Sequence, residues 1–267
     1  AAGSLPAGSP RPCFIILGNG EGCGKTVLLM LVAAPHGRCQ IGTAPTDEEE
    51  WRKLMMAAVV SGRGVITFDN VKGHLGSPAL EAYLTSARYS GRILGATREF
   101  TGDVNATVLV TGNQLTVSPD MRRRSLFVEL AMSELRPEDR VFRRVLDEAA
   151  ILEMRPRLMA ALWAIIREWD RAGRPGPTRS NSSFPRWCAS IGGATEFAGF
   201  GCPCAPAEIR GAADTDTADA ESLLAAMESG KEYTFQDLVA LCVERGLFDR
   251  FTAGMKDGQL TPRDRSA

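Results

Sequence analysis

The chain has 267 residues, 44% hydrophobic and 24% charged, which excludes a disordered polymer and leaves room for one large domain or two modest ones. Lys plus Arg total 31 against 32 Asp plus Glu, a formal net charge of -1, so a globally basic nucleic-acid binder is excluded while a local basic track stays open. No apolar run approaches the roughly 18 residues of a membrane helix. Of the cations 26 are Arg and 5 are Lys, so an isolated Arg says little. Seven Cys and only two His, His36 and His74, fit reduced thiols in a cytoplasmic protein, and Cys202 and Cys204, separated by Pro203, are too close for a zinc knuckle.

The chain opens Ala-Ala-Gly-Ser, and residues 1–12 are a Pro/Gly/Ser stretch that reads as a linker cut from a larger protein. Cys13 to Leu17 is a short continuous apolar run, as in a strand buried on both faces of a parallel sheet, and Gly18 stops it. A Gly-rich turn and the apolar run Val27 to Ala34 follow. Asp47 to Ser61 has helical spacing, with Glu48, Glu49 and Glu50 at the end where the helix dipole favours them. Val65 to Phe68 is a second buried strand ending in Asp69, and Pro78 to Ser86 a helix. Arg92 to Ala96 is a hairpin arm, Ala106 to Thr111 a third core strand and Leu126 to Leu130 a fourth. Strands alternating with helices predict an α/β core with a mostly parallel sheet flanked by helices over residues 13–132.

Beyond it, residues 133–207 read as helical, with helices from Pro137 to Ala150 and from Pro156 to Arg171 and a weaker one around Trp187. Residues 208–219 are an acidic linker. Residues 220–267 hold two short helices, Ala220 to Met227 and Phe235 to Arg245, the latter ended by Gly246, the opening of a truncated helix-turn-helix or winged-helix-like module.

The strongest chemical signal is Gly18-Asn19-Gly20-Glu21-Gly22-Cys23-Gly24-Lys25-Thr26 between strand and helix. A triphosphate needs convergent backbone N–H groups at a helix N-terminus, glycines that let that backbone approach, a Lys for the β/γ-phosphates and a hydroxyl for Mg²⁺. Gly20, Glu21, Gly22, Cys23, Gly24, Lys25 and Thr26 form such a loop for ATP, with Thr26 on the metal. The strict pattern wants Gly where Asn19 stands, and Asn tolerates left-handed backbone. The alternative is a Gly-rich turn without a ligand.

Asp69 lies 44 positions after Lys25, at the end of an apolar strand, and is placed as the second Mg²⁺ ligand of a Walker B motif. Asn70 follows where a Glu often polarises the lytic water. Asn can orient that water but not take its proton, so hydrolysis is slow or a carboxylate elsewhere serves, with Glu48 to Glu50 candidates by type alone. Asn113, a further 44 positions on, suits a γ-phosphate sensor at a strand tip. Arg122, Arg123 and Arg124 repel one another and need anionic partners, either a neighbouring subunit's phosphate or internal carboxylates.

In this order, Gly-Lys-Thr, Phe-Asp-Asn, Thr-Gly-Asn and Asp-x-x-Arg-Arg resemble the superfamily 3-like AAA+ ATPases of phages, plasmids and mobile elements, including prophages, often the helicase part of primase-helicase replication proteins. The resemblance covers about residues 13 to 200 and extends to Ala82-x-Leu84-Thr85-Ser86, Arg92-Ile93-Leu94-Gly95 and Arg136-Pro137-Glu138. It implies a ring, a hexamer, with ATP and Mg²⁺ between protomers: Lys25, Thr26, Asp69 and Asn113 act in cis, and Arg123 or Arg124 in trans. It implies single-stranded or forked DNA as partner, contacted from a hairpin over Arg88 to Asn105 through Arg98 and Phe100, with Lys72 and His74 as a second channel candidate, and a preceding domain such as a primase. A DNA helicase is one reading; an ATP-binding switch or assembly protein with weak hydrolysis is the other.

Overall fold

The computed structural model describes residues 8–18, 22–92, 98–130, 145–204, 222–227 and 233–247. The chain divides into two units, residues 1–211 and 212–267. In the first, five parallel strands form one sheet: β1 (Cys13–Gly18), β2 (Ile41–Gly42), β3 (Val65–Leu75), β6 (Thr107–Val117) and β7 (Ser125–Leu130), in the order β2-β3-β6-β1-β7. Between β3 and β6 in sequence lie β4 (Arg88–Arg92) and β5 (Glu99–Asp103), a separate antiparallel pair. The predicted α/β core with a parallel sheet is therefore present.

The helices of this core are α1 (Lys25–Ala33), α2 (Glu48–Val60), α3 (Pro78–Thr85) and α4 (Pro119–Arg123). Side-chain period sorts β1 into two apolar faces: Ile16 packs with Leu29 of α1 and Leu109 of β6, while Ile15 and Leu17 are buried on the other face. Asp47 caps α2 by accepting from Glu49 N at 2.9 Å, as its place before three glutamates predicts. Ser77 caps α3, accepting from Leu80 N at 3.2 Å.

The ends of β3 and β6 and the start of α5 differ from expectation. β3 does not stop at Asp69 nor β6 at Thr111; both run on, with register shifts between Phe68 and Val71 and between Val71 and Gly73. Polar and glycine residues after an apolar run look like a strand end, yet a bulge lets pairing resume past them. The break expected at Pro156 is absent: α5 (Glu148–Arg171) begins at its cap, Asp147, whose carboxylate accepts from Ala150 N at 2.8 Å, and runs through Pro156. Docking compensates for the backbone bond that Pro removes, since Arg155 donates to the carbonyls of Ala34 and Pro35 at 3.1 and 3.0 Å. The part of the expected 137–150 helix before residue 145 lies outside the described residues. Residues 8–12 are not a solvated linker: Ser9 and Arg11 are buried, and Arg11 Nη1 donates to Asn105 O at 2.7 Å.

After α5, α6 (Pro185–Trp187), a π-helical turn over Cys188–Gly192 and α7 (Gly193–Phe197) run together. Phe184, Trp187 and Cys188 form a core cluster against Phe14 and Leu126. Cys188 and Cys204 are bonded as a disulfide, with Cα atoms 6.5 Å apart and a separation of 16 in sequence. This corrects the expectation of thiols alone: residues after α7 return to the Trp187 cluster, and Cys13, Cys23, Cys39, Cys202 and Cys242 form no disulfide. Among the described residues no group of three His, Cys, Asp or Glu could hold a metal ion, and no helix is long and apolar enough to cross a membrane.

The second unit contains a short helix over 222–226 and α8 (Phe235–Arg245). Thr234 and Asp237 form a capping box on α8, and Gly246 ends it with φ 62°. The turn expected between the two helices lies outside the described residues.

The β4–β5 pair lies against α2, and two glycines permit the approach. A Cβ on Gly102 would come within 2.6 Å of Val59 Cγ1, and one on Gly91 within 3.0 Å of Met56 Sδ. Gly102→Ala is expected to destabilise the protein by about 1–3 kcal/mol through overpacking, measured as the shift in urea midpoint against wild type.

Candidate functional site

The order β3-β6-β1 puts the Asn113 strand between the strand that feeds the Gly-rich loop and the strand that carries Asp69. Residues more than 40 positions apart therefore meet just past the C-terminal end of β1, beside the bulge between β3 and β6, on the side where open parallel sheets bind ligands. Asn19, Gly20 and Glu21 lie outside the described residues. Gly22 and Gly24 have φ of 70° and 94°, the left-handed backbone that favours Gly. Gly24 caps α1, whose first turn has no side-chain cap and no acid, the kind of helix start that suits an anion.

Lys25 is 8% exposed. Its ammonium donates to Asn113 Oδ1 and to Cys23 Sγ at 3.3 Å. Cys23 folds over the end of β1, where a Cβ on Gly18 would collide with its sulfur; that contact, rather than turn geometry, requires Gly at 18. Thr26 Oγ1 donates to Asp69 Oδ2 at 2.9 Å. Lys25, Thr26, Asp69 and Asn113 are thus brought together by direct side-chain bonds. The Thr26 hydroxyl and the Asp69 carboxylate are hard oxygen donors within reach of one small cation, a set suited to Mg²⁺.

Sequence reasoning missed Thr111. Fully buried on β6, it donates to Asp69 Oδ1 and accepts from Asn70 N at 2.8 Å. The available signal was its spacing two residues before Asn113, on the same face of the strand. Asn70 adopts φ 54°, which Asn accepts at lower cost than most residues.

Beside Asp69 and Asn70 opens a cleft of about 470 Å³, lined also by Thr43, Thr46, Trp51, Lys72 and His74. Among its described lining residues Asp69 is the only acid. The glutamates considered for a base are engaged elsewhere: Glu48 accepts from Ser77 Oγ and Ala79 N, both at 2.7 Å, at the start of α3, while Glu49 and Glu50 pair with Lys53 at 3.1 and 2.8 Å. Lys72 is exposed, and His74 Nδ1 lies 3.3 Å from Thr116 Oγ1.

The two arginines differ. Arg124, its side chain 23% exposed, bonds Glu81 Oε2 at 3.2 Å, while Arg123, 72% exposed, pairs with Asp120 on the same turn. Arg123 also holds the Asp120 carboxyl below its ordinary range. Glu81 accepts from Ser118 Oγ at 2.7 Å as well, so one carboxylate holds α4 at both ends. On the hairpin, Phe100 is half-buried on the same face as Gly91 and Gly102, toward α2. Arg98 is exposed; residues 93–97 lie outside the described residues.

No family model matches the chain, and no curated protein matches it. Among solved structures it is similar to the A-form apo structure of the NrS-1 C-terminal region, residues 305–718, at 11% identity and a TM-score of 0.38, with 92% of this chain and 52% of that chain covered. The chain thus spans about half the length of that structure.

Proposed function

We propose that the chain is an AAA+-like, P-loop ATPase that drives a DNA helicase or translocase of a phage or mobile-element replication protein. The observation that supports it most is the junction of Lys25, Thr26, Asp69 and Asn113 across β1, β3 and β6. In this reading residues 13–132 are the ATPase core, 133–207 its helical follow-on, 208–219 a linker and 220–267 part of a winged-helix-like module. The leading N–H groups of α1 receive the phosphates and Lys25 neutralises them. Thr26 and Asp69 hold Mg²⁺, which supplies charge neutralisation on the phosphate oxygens. Asn113 reads the terminal phosphate. Asn70 orients water toward it, and Arg123 completes the site of a neighbour in a ring, a hexamer as the resemblance implies. Arg98 and Lys72 are the exposed cations for single-stranded or forked DNA.

The second reading, an ATP-binding switch with weak hydrolysis, is favoured by Asn70 and by the absence of a second acid among the described residues of the cleft. Turnover separates them. The helicase reading expects single-stranded DNA to raise ATP hydrolysis by the assembled protein several-fold, with Arg98→Ala lowering that stimulation. ATP binding without DNA-stimulated turnover would leave the switch.

A further inference from the structure

We propose that Thr111 is the positioning residue that sets both Asp69 and Asn70, and through them the magnesium requirement for nucleotide binding; this rests on the phosphate and metal reading above. The β3–β6 ladder pairs Phe68 with Val110 and resumes at Val71 with Gly112, so Asp69 and Asn70 together face Thr111 alone. Such a two-against-one bulge takes its residues out of the ladder and re-aims their side chains. The Asn70 N–H, lost to the ladder, is donated to Thr111 Oγ1 at 2.8 Å.

A hydroxyl has one proton. Because Thr111 Oγ1 accepts from Asn70, that proton is free to go to Asp69 Oδ1, where the bond is formed. With Oδ1 held, Oδ2 is the oxygen turned toward Thr26, which donates to it at 2.9 Å. The same hydroxyl keeps Asn70 in its left-handed backbone, with its side chain at the cleft. Thr111 is fully buried and β-branched on a central strand, so its side chain has little rotamer freedom.

Partners that orient a metal ligand typically change metal affinity about 10- to 100-fold when removed. The test titrates Mg²⁺ into protein with a fluorescent ATP analogue and reads bound nucleotide, with EDTA as the metal-free reference. Thr111→Val is expected to raise the half-saturating Mg²⁺ concentration about 10-fold or more and to leave binding in EDTA unchanged. Thr111→Ser keeps the hydroxyl and is expected to titrate like wild type. If the Val variant does not fold, Thr111→Cys, a weak donor, replaces it and shifts the midpoint in the same direction.

A variant without the hydroxyl that titrates like wild type overturns the proposal, as does an equal shift in Thr111→Ser, which would mark a packing role. If in that case Lys25→Ala still loses nucleotide, the phosphate-site reading stands and only the role of Thr111 falls. Wild-type protein that binds no ATP analogue overturns both.

Discussion

Lys25→Ala is expected to abolish detectable ATP binding while leaving the fold intact. Lys25 is 8% exposed, and its ammonium donates to Asn113 Oδ1 and Cys23 Sγ at the point where the phosphates are proposed to sit. A triphosphate supplies the opposite charge in the same low-dielectric space. Truncating one side of such a buried charged contact costs about 2–5 kcal/mol or more, a loss of roughly 30-fold to several-thousand-fold in affinity. Stability should fall by about 1.5–3 kcal/mol through the lost bonds to Asn113 and Cys23, without unfolding. Nucleotide titration by fluorescence, with a melting curve on the same sample, reads both quantities. Retained ATP affinity in a folded Lys25→Ala protein would remove the phosphate-loop assignment.

Arg123→Ala and Arg124→Ala are expected to fail in different ways. Arg123, 72% exposed, pairs among the described residues with its neighbour Asp120, so its removal leaves the protomer stable. If it reaches a neighbouring subunit's nucleotide, turnover falls by about 10³ to 10⁵. Arg124 is a strut: with Glu81 it ties the C-terminal end of α4 to α3, and its loss should cost about 1–3 kcal/mol of stability. Mixing Arg123→Ala with Asp69→Ala protein should restore part of the turnover, since some mixed interfaces then have both parts intact. Absence of rescue in a proven mixed assembly would make Arg123 a surface residue, and an unchanged melting temperature in Arg124→Ala would contradict its role as a strut.

Much of the core was legible because its signals are local. The apolar run Cys13 to Leu17, the glycines after it and the period of the next segment specify strand, loop and helix without reference to any other part of the chain, and β1 and α1 form there. The caps that the structure shows on α2 and α3, Asp47 and Ser77, are local too, each sitting just before its helix. Strand ends were less legible. Asp69 and Asn70 read as a terminus, since polar residues after Phe68 break the pattern, yet β3 resumes because β6 is long enough to pair with it beyond the bulge. Pro156 misled for a related reason: its cost to a helix is local, while its compensation, Arg155 on the carbonyls of Ala34 and Pro35, comes from a segment about 120 residues away.

By itself the sequence determined the residue types and the order of the candidate site: Gly24, Lys25 and Thr26 at a helix start, then Asp69, then Asn113. Which of them touch was decided by sheet order, which puts β6 between β3 and β1. Only the tertiary structure distinguished Arg124 on Glu81 from exposed Arg123, turned Phe100 toward α2, engaged Glu48 at the start of α3, joined Cys188 to Cys204, and put the Thr111 hydroxyl under Asp69 and Asn70. The reason is one of range: propensity and capping act within a turn or two of the chain, whereas burial, charge pairing and register are set by neighbours that chain folding brings from tens of residues away.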